Sequence, residues 1–96
     1  MKKGYWVVRA HISNIEDYTK YVSMAGHIVA KFEGKFIVRG GDQEEVEGSG
    51  FERTVLVEFP SYQIAKNCYK SDEYQDALSY TKNSSNRHFS IVEGLS

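Results

Sequence analysis

The sequence contains one cysteine and one proline in 96 residues, and it has no long hydrophobic run. The lone cysteine, Cys68, excludes an internal disulfide, and its place on the second predicted helix is typical of a small core residue. The three histidines lack the short spacing of metal ligands. We therefore expect no metal site and no cofactor.

An excess of one charge is also missing. Lys and Arg number 12 against 13 Asp and Glu, a net charge of −1, so we expect no nucleic-acid partner. No apolar run approaches the roughly 18 residues of a membrane span, so we expect no membrane partner. Lys2 and Lys3 resemble the start of a signal peptide, but Arg9 and His11 interrupt the apolar stretch that follows. These features predict a cytoplasmic protein.

The composition is that of a folded domain. Apolar residues make up 41% and charged residues 26% of the chain, as in ordinary globular proteins. A chain of this length suits one core, so a single domain is predicted over 1–96. Apolar periodicity and end signals predict four strands and two helices in the order β-α-β-β-α-β. The strands are expected at 5–12, 36–39, 53–59 and 88–93.

The helix predictions depend on caps and apolar stripes. Ser13 or Asn14 can cap the first helix, and Gly34 is expected to end it. Its predicted buried stripe consists of Ile15, Tyr18, Val22, Ala25, Val29 and Phe32. Ser61 can cap a second helix, which Ser71 interrupts and recaps for a continuation to about Lys82. The acidic, glycine-rich segment 42–50 is predicted to be the loop of a long hairpin.

Two strand–helix–strand units without a linker predict an α+β fold of the ferredoxin-like type, a four-stranded antiparallel sheet with helices on one face. Apolar residues occur on both faces of these strands: Trp6 and Val8 face one way, Tyr5 and Val7 the other. Because two helices cover only one face, we predict a homodimer formed through the helix-free sheet face. An open sheet with a few exposed apolar side chains is the alternative.

Four segments, in this order and spacing, resemble the family of domains of unknown function called DUF1330. They are Gly34–Gly41 (GKFIVRGG), Val57–Ser61 (VEFPS), Tyr69–Gln75 (YKSDEYQ) and Val92–Gly94 (VEG). The resemblance covers nearly the whole chain and implies the dimeric α/β-barrel superfamily, in which two sheets pack face to face. That superfamily also holds cofactor-independent monooxygenases and haem-degrading enzymes, whereas this family has no assigned activity.

The sequence departs from the family pattern at two places. Asp72 stands where many relatives have proline after the serine, and Thr81 stands where a basic residue is common. If that basic residue contacts a ligand in the relatives, the contact is lost or altered in this chain.

Antiparallel topology predicts where charged residues gather. It places His11, Arg39, Arg53, Arg87 and His88 at one end of the sheet, with the start of the first helix. Guanidinium groups there would suit carboxylate or phosphate groups. The favoured alternative is pairing with the acids of the adjacent loop, namely Asp42, Glu44, Glu45 and Glu47, or pairing across the dimer.

The opposite end offers other candidates. Glu58 and His27 are predicted as catalytic acid–base residues, because a carboxylate and a titratable imidazole would lie near aromatic walls. We expect Glu58 at the mouth of the sheet–helix layer near Trp6. The favoured alternative is that Glu58 bonds backbone or a partner chain and that His27 is a solvated or capping residue near a helix end. The predicted ligand-binding residues are Trp6, Arg39, Tyr69 and Tyr74.

Three functions remain open at this point. The first is a small homodimeric protein that binds a small apolar or carboxylated molecule between sheet and helices. The second is a cofactor-independent monooxygenase- or isomerase-like enzyme, in which the substrate supplies the reactivity. The third is a structural or regulatory dimer without a ligand.

Overall fold

The structure is a computed structural model that describes residues 2–95. Its elements are β1 (Gly4–Ile12), α1 (Ile15–Lys31), β2 (Lys35–Arg39), β3 (Arg53–Phe59), α2 (Tyr62–Lys70), α3 (Asp72–Leu78) and β4 (Ser85–Glu93). The predicted ferredoxin-like α+β order is confirmed, and the second helix is divided at Ser71, as the sequence indicates.

The four strands form one antiparallel sheet in the order β2-β3-β1-β4. The helices cover one face of it, and the buried core lies between them and the sheet. On this face Trp6, Val8 and Ala10 of β1 are at most 3% exposed. The other face is uncovered in the single chain, and its Val38 and Val92 are 39% and 46% exposed. We call this uncovered surface the open face.

Local signals set the helix ends. The Asn14 side chain accepts a hydrogen bond from the Asp17 amide at 3.2 Å, so Asn14 and not Ser13 caps α1. After α1 the left-handed residue is Glu33, with φ of 60°. Gly34 therefore does not end the helix through a left-handed conformation. Glycine is required there by close packing, because a Cβ would lie 2.5 Å from Val29 and 2.7 Å from Phe59.

One predicted core residue and two predicted boundaries were wrong. Ile15 is 64% exposed, because it lies one turn before Tyr18, the first residue of α1 that reaches the core. The continuation of the second helix ends at Leu78, and β4 begins at Ser85 rather than at His88. The turn between them is closed by the Thr81 carbonyl, which accepts hydrogen bonds from the amides of residues 84 and 85 at 3.3 and 3.1 Å.

Candidate functional site

Two arginines occupy one row of the sheet beneath the helices. Ala10 of β1 pairs with Arg53 of β3 on one side and with Arg87 of β4 on the other. Ala10 is fully buried under the helices. Because paired residues in a sheet point to the same face, the side chains of Arg53 and Arg87 point into the helix-covered layer too.

A β-bulge brings a third arginine to this layer. Phe36 and Val38 of β2 pair with consecutive residues of β3 although Ile37 lies between them, so Ile37 is the extra residue. A regular strand would put Phe36 and Val38 on one face and Arg39 on the other. The bulge instead turns both Phe36 and Arg39 toward the helices, and Val38 toward the open face.

The three arginines line a pocket between α1 and the sheet. Its aromatic walls come from Trp6, Tyr18, Tyr21 and Phe36, and aliphatic residues of α1, β1 and β3 complete it. The empty space between these side chains, including the part that is open to solvent, is about 380 Å³. A water molecule can occupy only about 20 Å³ of it. A ligand larger than one small group must therefore displace a side chain.

The guanidinium groups of the pocket lack carboxylate partners. Among residues 2–95, no carboxylate lies within 4.0 Å of Arg39, Arg53 or Arg87. Arg39 is exposed, lies 4.0 Å from the Phe36 ring centroid and donates one long hydrogen bond, 3.4 Å, to a backbone carbonyl of α1. Arg53 lies 5.8 Å from the Tyr18 ring, and its Nε is buried without a hydrogen-bond partner.

The expected neutralisation by the loop acids is wrong for these three arginines. Glu45 instead binds Arg9, at 3.1 Å, on the open face. His11 and His88 also lie on the open face, and His11 is 2.8 Å from a carboxylate oxygen of Glu52. The residues of the predicted basic end are therefore split between the two faces of the sheet, because the side chains of neighbouring strand residues alternate between its faces.

A buried hydroxyl pair adjoins the pocket. The hydroxyl oxygens of Tyr21 and Tyr74 are 2.5 Å apart, and Arg87 donates to them at 3.1 and 3.5 Å respectively. Burial raises the pKa of both tyrosines, and the nearby guanidinium only partly opposes this. Both hydroxyls therefore stay protonated near neutral pH: one donates to the other, both accept from Arg87, and neither serves as a base.

The four predicted ligand-binding residues do not all line the pocket. Trp6 and Arg39 line the pocket, and the Trp6 indole donates to the Ala65 carbonyl at 2.9 Å. Tyr74 lies behind the pocket wall and is hydrogen-bonded to Tyr21, which lines it. Tyr69 packs edge-on against Trp6, with ring centroids 6.3 Å apart, and lines a neighbouring hollow.

The two predicted catalytic residues do not come together. Glu58 lies on the open face, where it accepts a hydrogen bond from the Tyr5 hydroxyl at 2.9 Å. Its expected place at the mouth of the sheet–helix layer is wrong, because its neighbours Val57 and Phe59 face the core and Glu58 must face away. His27 is exposed on α1, which packs on the other face of the sheet.

Some residues of the pocket were missing from the predicted ligand-binding set. Tyr21 follows Tyr18 by three residues and precedes Ala25 by four, so helical spacing was a usable signal for it. Nothing in the sequence signalled that Arg53 and Arg87 flank the same alanine, because strand register is fixed by tertiary pairing.

Other kinds of site lack support in the described part of the chain. No group of three His, Cys, Asp or Glu side chains within residues 2–95 is placed to hold a metal ion. No helix in that range is long and apolar enough to cross a membrane. The thiol of Cys68 is buried, and this burial raises its pKa to about 12, which makes it a poor nucleophile.

Several solved structures share the fold. RPA0582, a protein of unknown function from Rhodopseudomonas palustris, aligns with a TM-score of 0.81 at 13% identity over 99% of this chain and 84% of its own. SnoaB from Streptomyces nogalater, a cofactor-independent oxygenase, aligns with a TM-score of 0.66 at 7% identity over 96% of this chain and 92% of its own. A dimeric ferredoxin-like protein of unknown function from Thermobifida fusca gives 0.59 at 7% identity, covering 96% and 91%. At these identities the likeness shows the ferredoxin-like fold alone.

Sequence comparison is more specific about the family. No protein of curated function matches the chain. The model of the family described as "Domain of unknown function (DUF1330)" matches residues 3–95. The match spans the four segments that suggested the same family, and that prediction is confirmed. The protein belongs to the DUF1330 family.

Proposed function

We propose that this protein binds a small organic anion, an apolar or aromatic body carrying a carboxylate, in the pocket between α1 and the sheet. The observation that supports it is the convergence of Arg39, Arg53 and Arg87 without a carboxylate within 4.0 Å among residues 2–95. Removing a charge from water is costly unless it is paired, and a guanidinium fork matches a carboxylate well.

The pocket offers a place for each part of such a ligand. The Nε of Arg53 is buried and has no hydrogen-bond partner, so a carboxylate beside it would satisfy an unpaired donor. Arg87 has N–H groups beyond the two that bind tyrosine hydroxyls. Trp6 and Phe36 provide aromatic surface for the apolar body of the ligand.

Arg39 is the side chain that can make room. It is exposed and is held by one long hydrogen bond and by its contact with the Phe36 ring. An exposed arginine that stacks on an aromatic ring loses little when it exchanges this contact for another. We therefore expect Arg39 to leave Phe36 when a ligand enters and to pair with the ligand's carboxylate.

An oxygenase-like enzyme is the second candidate. The fold is shared with SnoaB, and the arginine and tyrosine donors could stabilise an oxyanion that develops on a substrate. Within the described chain, however, no Asp, Glu, His or Lys lines the pocket. A general base near neutral pH is therefore missing from its wall, so binding is the better-supported function.

The assembly we propose is a homodimer formed through the open face, in the cytoplasm. Val38 and Val92 are exposed there, and Val7 and Leu56 are half-buried between them. A second copy would cover this apolar surface, and a stable interface should bury more than about 1,000 Å². The Thermobifida fusca protein of the same fold is described as dimeric.

Titration with phenylacetate tests the binding proposal. Trp6 is the one tryptophan of the sequence and lines the pocket, so its fluorescence responds to a ligand there, and the Arg53→Gln variant assigns the response to this site. We expect a saturable change with phenylacetate and at least tenfold weaker binding of the neutral phenylacetamide. Arg53→Gln should weaken phenylacetate binding at least tenfold, whereas Lys35→Gln, an exposed cation outside the pocket, should not.

The same titration separates the candidates. Equal binding of acid and amide, or an unchanged affinity of Arg53→Gln, would refute the anion site. Conversion of bound phenylacetate to an oxygenated product under air, detected by mass spectrometry, would favour the oxygenase-like function.

A further inference from the structure

A second hollow lies on the far side of Arg87 from the pocket. It is formed by α2, the end of α3, the turn that follows and β4. The part of it that a water molecule can occupy is about 270 Å³, against about 20 Å³ in the pocket. Small-molecule sites usually begin at about 300 Å³. Within the described chain, Arg87 is the one residue that lines both spaces. The hollow is therefore a distinct space that touches the first through a single guanidinium group.

The hollow is cationic. Lys82 and Arg87 line it, no Asp or Glu does, and neither cation forms an ion pair among residues 2–95. Arginine has five N–H donors, and Arg87 uses two of them on the tyrosine hydroxyls behind it. The remaining donors are free for a group in the hollow. Lys82 is exposed and can move to meet the same group.

The walls of the hollow are aromatic. The rings of Tyr69 and Phe89 are 4.9 Å apart at 56° to one another, and the Arg87 guanidinium lies 5.2 Å from the Phe89 ring. Leu78 adds apolar surface. A planar ring could pack against these side chains while a charged group attached to it reaches Lys82 and Arg87.

We propose that this hollow is a second binding site, selective for an aromatic monocarboxylate. The carboxylate pairs with Lys82 and Arg87, and the ring packs against Tyr69 and Phe89. This proposal does not depend on occupation of the first pocket. The two sites are separable by variants, because Arg53 lines only the pocket and Lys82 lines only the hollow among the described residues.

Benzoate is the probe, and backbone amide NMR of the whole chain is the readout. We expect saturable shifts at residues 82, 85 and 89, and at least tenfold weaker binding of the neutral benzamide judged by the same amides. Lys82→Gln should raise the Kd measured there at least fivefold. Lys70→Gln is the matched control, an exposed lysine at the end of α2 that does not line the hollow.

The first pocket is monitored in the same samples through the backbone amides of residues 36, 39 and 53, because Trp6 packs against Tyr69 and Phe89 and so borders both spaces. Lys82→Gln should leave the titration at the pocket amides unchanged, and Arg53→Gln should leave the Kd at residues 82, 85 and 89 unchanged. If Lys82→Gln perturbs the fold, the charge-preserving Lys82→Arg should restore binding with the native spectrum. Absence of saturable shifts at these amides, equal binding of benzamide, or an unaltered Kd in Lys82→Gln would overturn the second site and leave the first intact.

Discussion

Arg53 and Arg87 flank Ala10 across three neighbouring strands, so two cationic residues share one row beneath the helices. Their backbones stand two strand spacings apart, about 10 Å. No carboxylate lies between them or within 4.0 Å of either among residues 2–95. Two like charges on a partly dry surface repel each other, and a bound anion would relieve that repulsion.

Ligand binding should therefore stabilise the fold. At a phenylacetate concentration of 100 times its Kd, the free energy of unfolding should rise by about 2.7 kcal/mol. For a domain of this size the thermal midpoint should increase by roughly 10 °C or more. Differential scanning calorimetry checks this, with phenylacetamide at equal concentration as the control. The same shift with the amide would contradict the role of the arginine pair.

The buried tyrosine pair should contribute measurably to stability. Tyr21→Phe removes one hydroxyl and leaves that of Tyr74 with its long bond to Arg87 alone. We expect a loss of about 1 kcal/mol in the free energy of unfolding, measured in urea. Tyr62→Phe is the matched control at a 36% exposed position and should change stability by less than about 0.5 kcal/mol. Equal costs for the two variants would show that the pair is not a stabilising contact.

High pH should destabilise the protein through the same pair. Burial raises the pKa of Tyr21 and Tyr74 in the folded state above their ordinary value of 10.0. Above about pH 10 the unfolded chain loses these protons while the folded chain keeps them. The stabilisation from the two tyrosines is therefore complete well below pH 10, and it is lost as pH rises, by up to about 1.4 kcal/mol per pH unit for each tyrosine.

Denaturant unfolding between pH 9 and 11 measures this slope. The double variant Tyr21→Phe, Tyr74→Phe should lose up to about 2.7 kcal/mol per pH unit of it. A variant with both exposed residues Tyr62 and Tyr80 changed to Phe should keep the wild-type slope. Identical slopes in the two double variants would rule out the buried pair as the cause.

Two glycines should respond to alanine in opposite directions. At Gly26 in α1, a Cβ would lie 3.4 Å from the movable Arg39 guanidinium. Gly26→Ala should therefore gain helix propensity and stabilise the fold by up to about 1 kcal/mol. At Gly4 a Cβ would lie 2.5 Å from the Ser61 carbonyl oxygen and the Tyr62 Cα. Backbone atoms cannot give way cheaply, so Gly4→Ala should cost about 1–3 kcal/mol. Thermal unfolding that ranks the two variants in the reverse order would count against these contacts.

The open face should control assembly. We expect sedimentation velocity at micromolar concentration to give a dimer for the native sequence and a monomer for Leu56→Glu, because the new carboxylate would be buried unpaired. Ile15→Glu is the control, since Ile15 is 64% exposed at the start of α1 and away from this face. A monomeric native protein, or a Leu56→Glu variant that stays dimeric, would reject the proposed interface.

The sequence was sufficient for the elements that depend on local chemistry. The break at Ser71 was predicted because serine caps helices, and the side chain does accept a hydrogen bond from the Tyr74 amide at 3.2 Å. The alternation of β1 also predicted that Trp6 and Val8 share one face, although not which face the helices cover. For this reason the fold could be predicted.

The pocket depends on relationships that local patterns do not contain. Phe36, Ile37 and Val38 form an unbroken apolar run, and nothing in it marks Ile37 as the bulged residue. The prediction for Glu58 failed for a related reason: the end of β3 fixes its level along the sheet, but its position between Val57 and Phe59 turns it to the open face. Registers and bulges are set by the whole sheet, so arginines from three strands can meet without a motif.

The bulge at Ile37 also makes the chemistry of the pocket a matter of strand register. If Ile37 instead paired with Leu56 and the bulge were lost, regular alternation would turn Val38 inward and Arg39 outward. Such a slip would exchange a cation for an isopropyl group in the pocket and place a positive charge on the face proposed for the dimer. Within such a fold, ligand preference and self-association can therefore change together through a shift of one residue in one edge strand, with no side chain replaced.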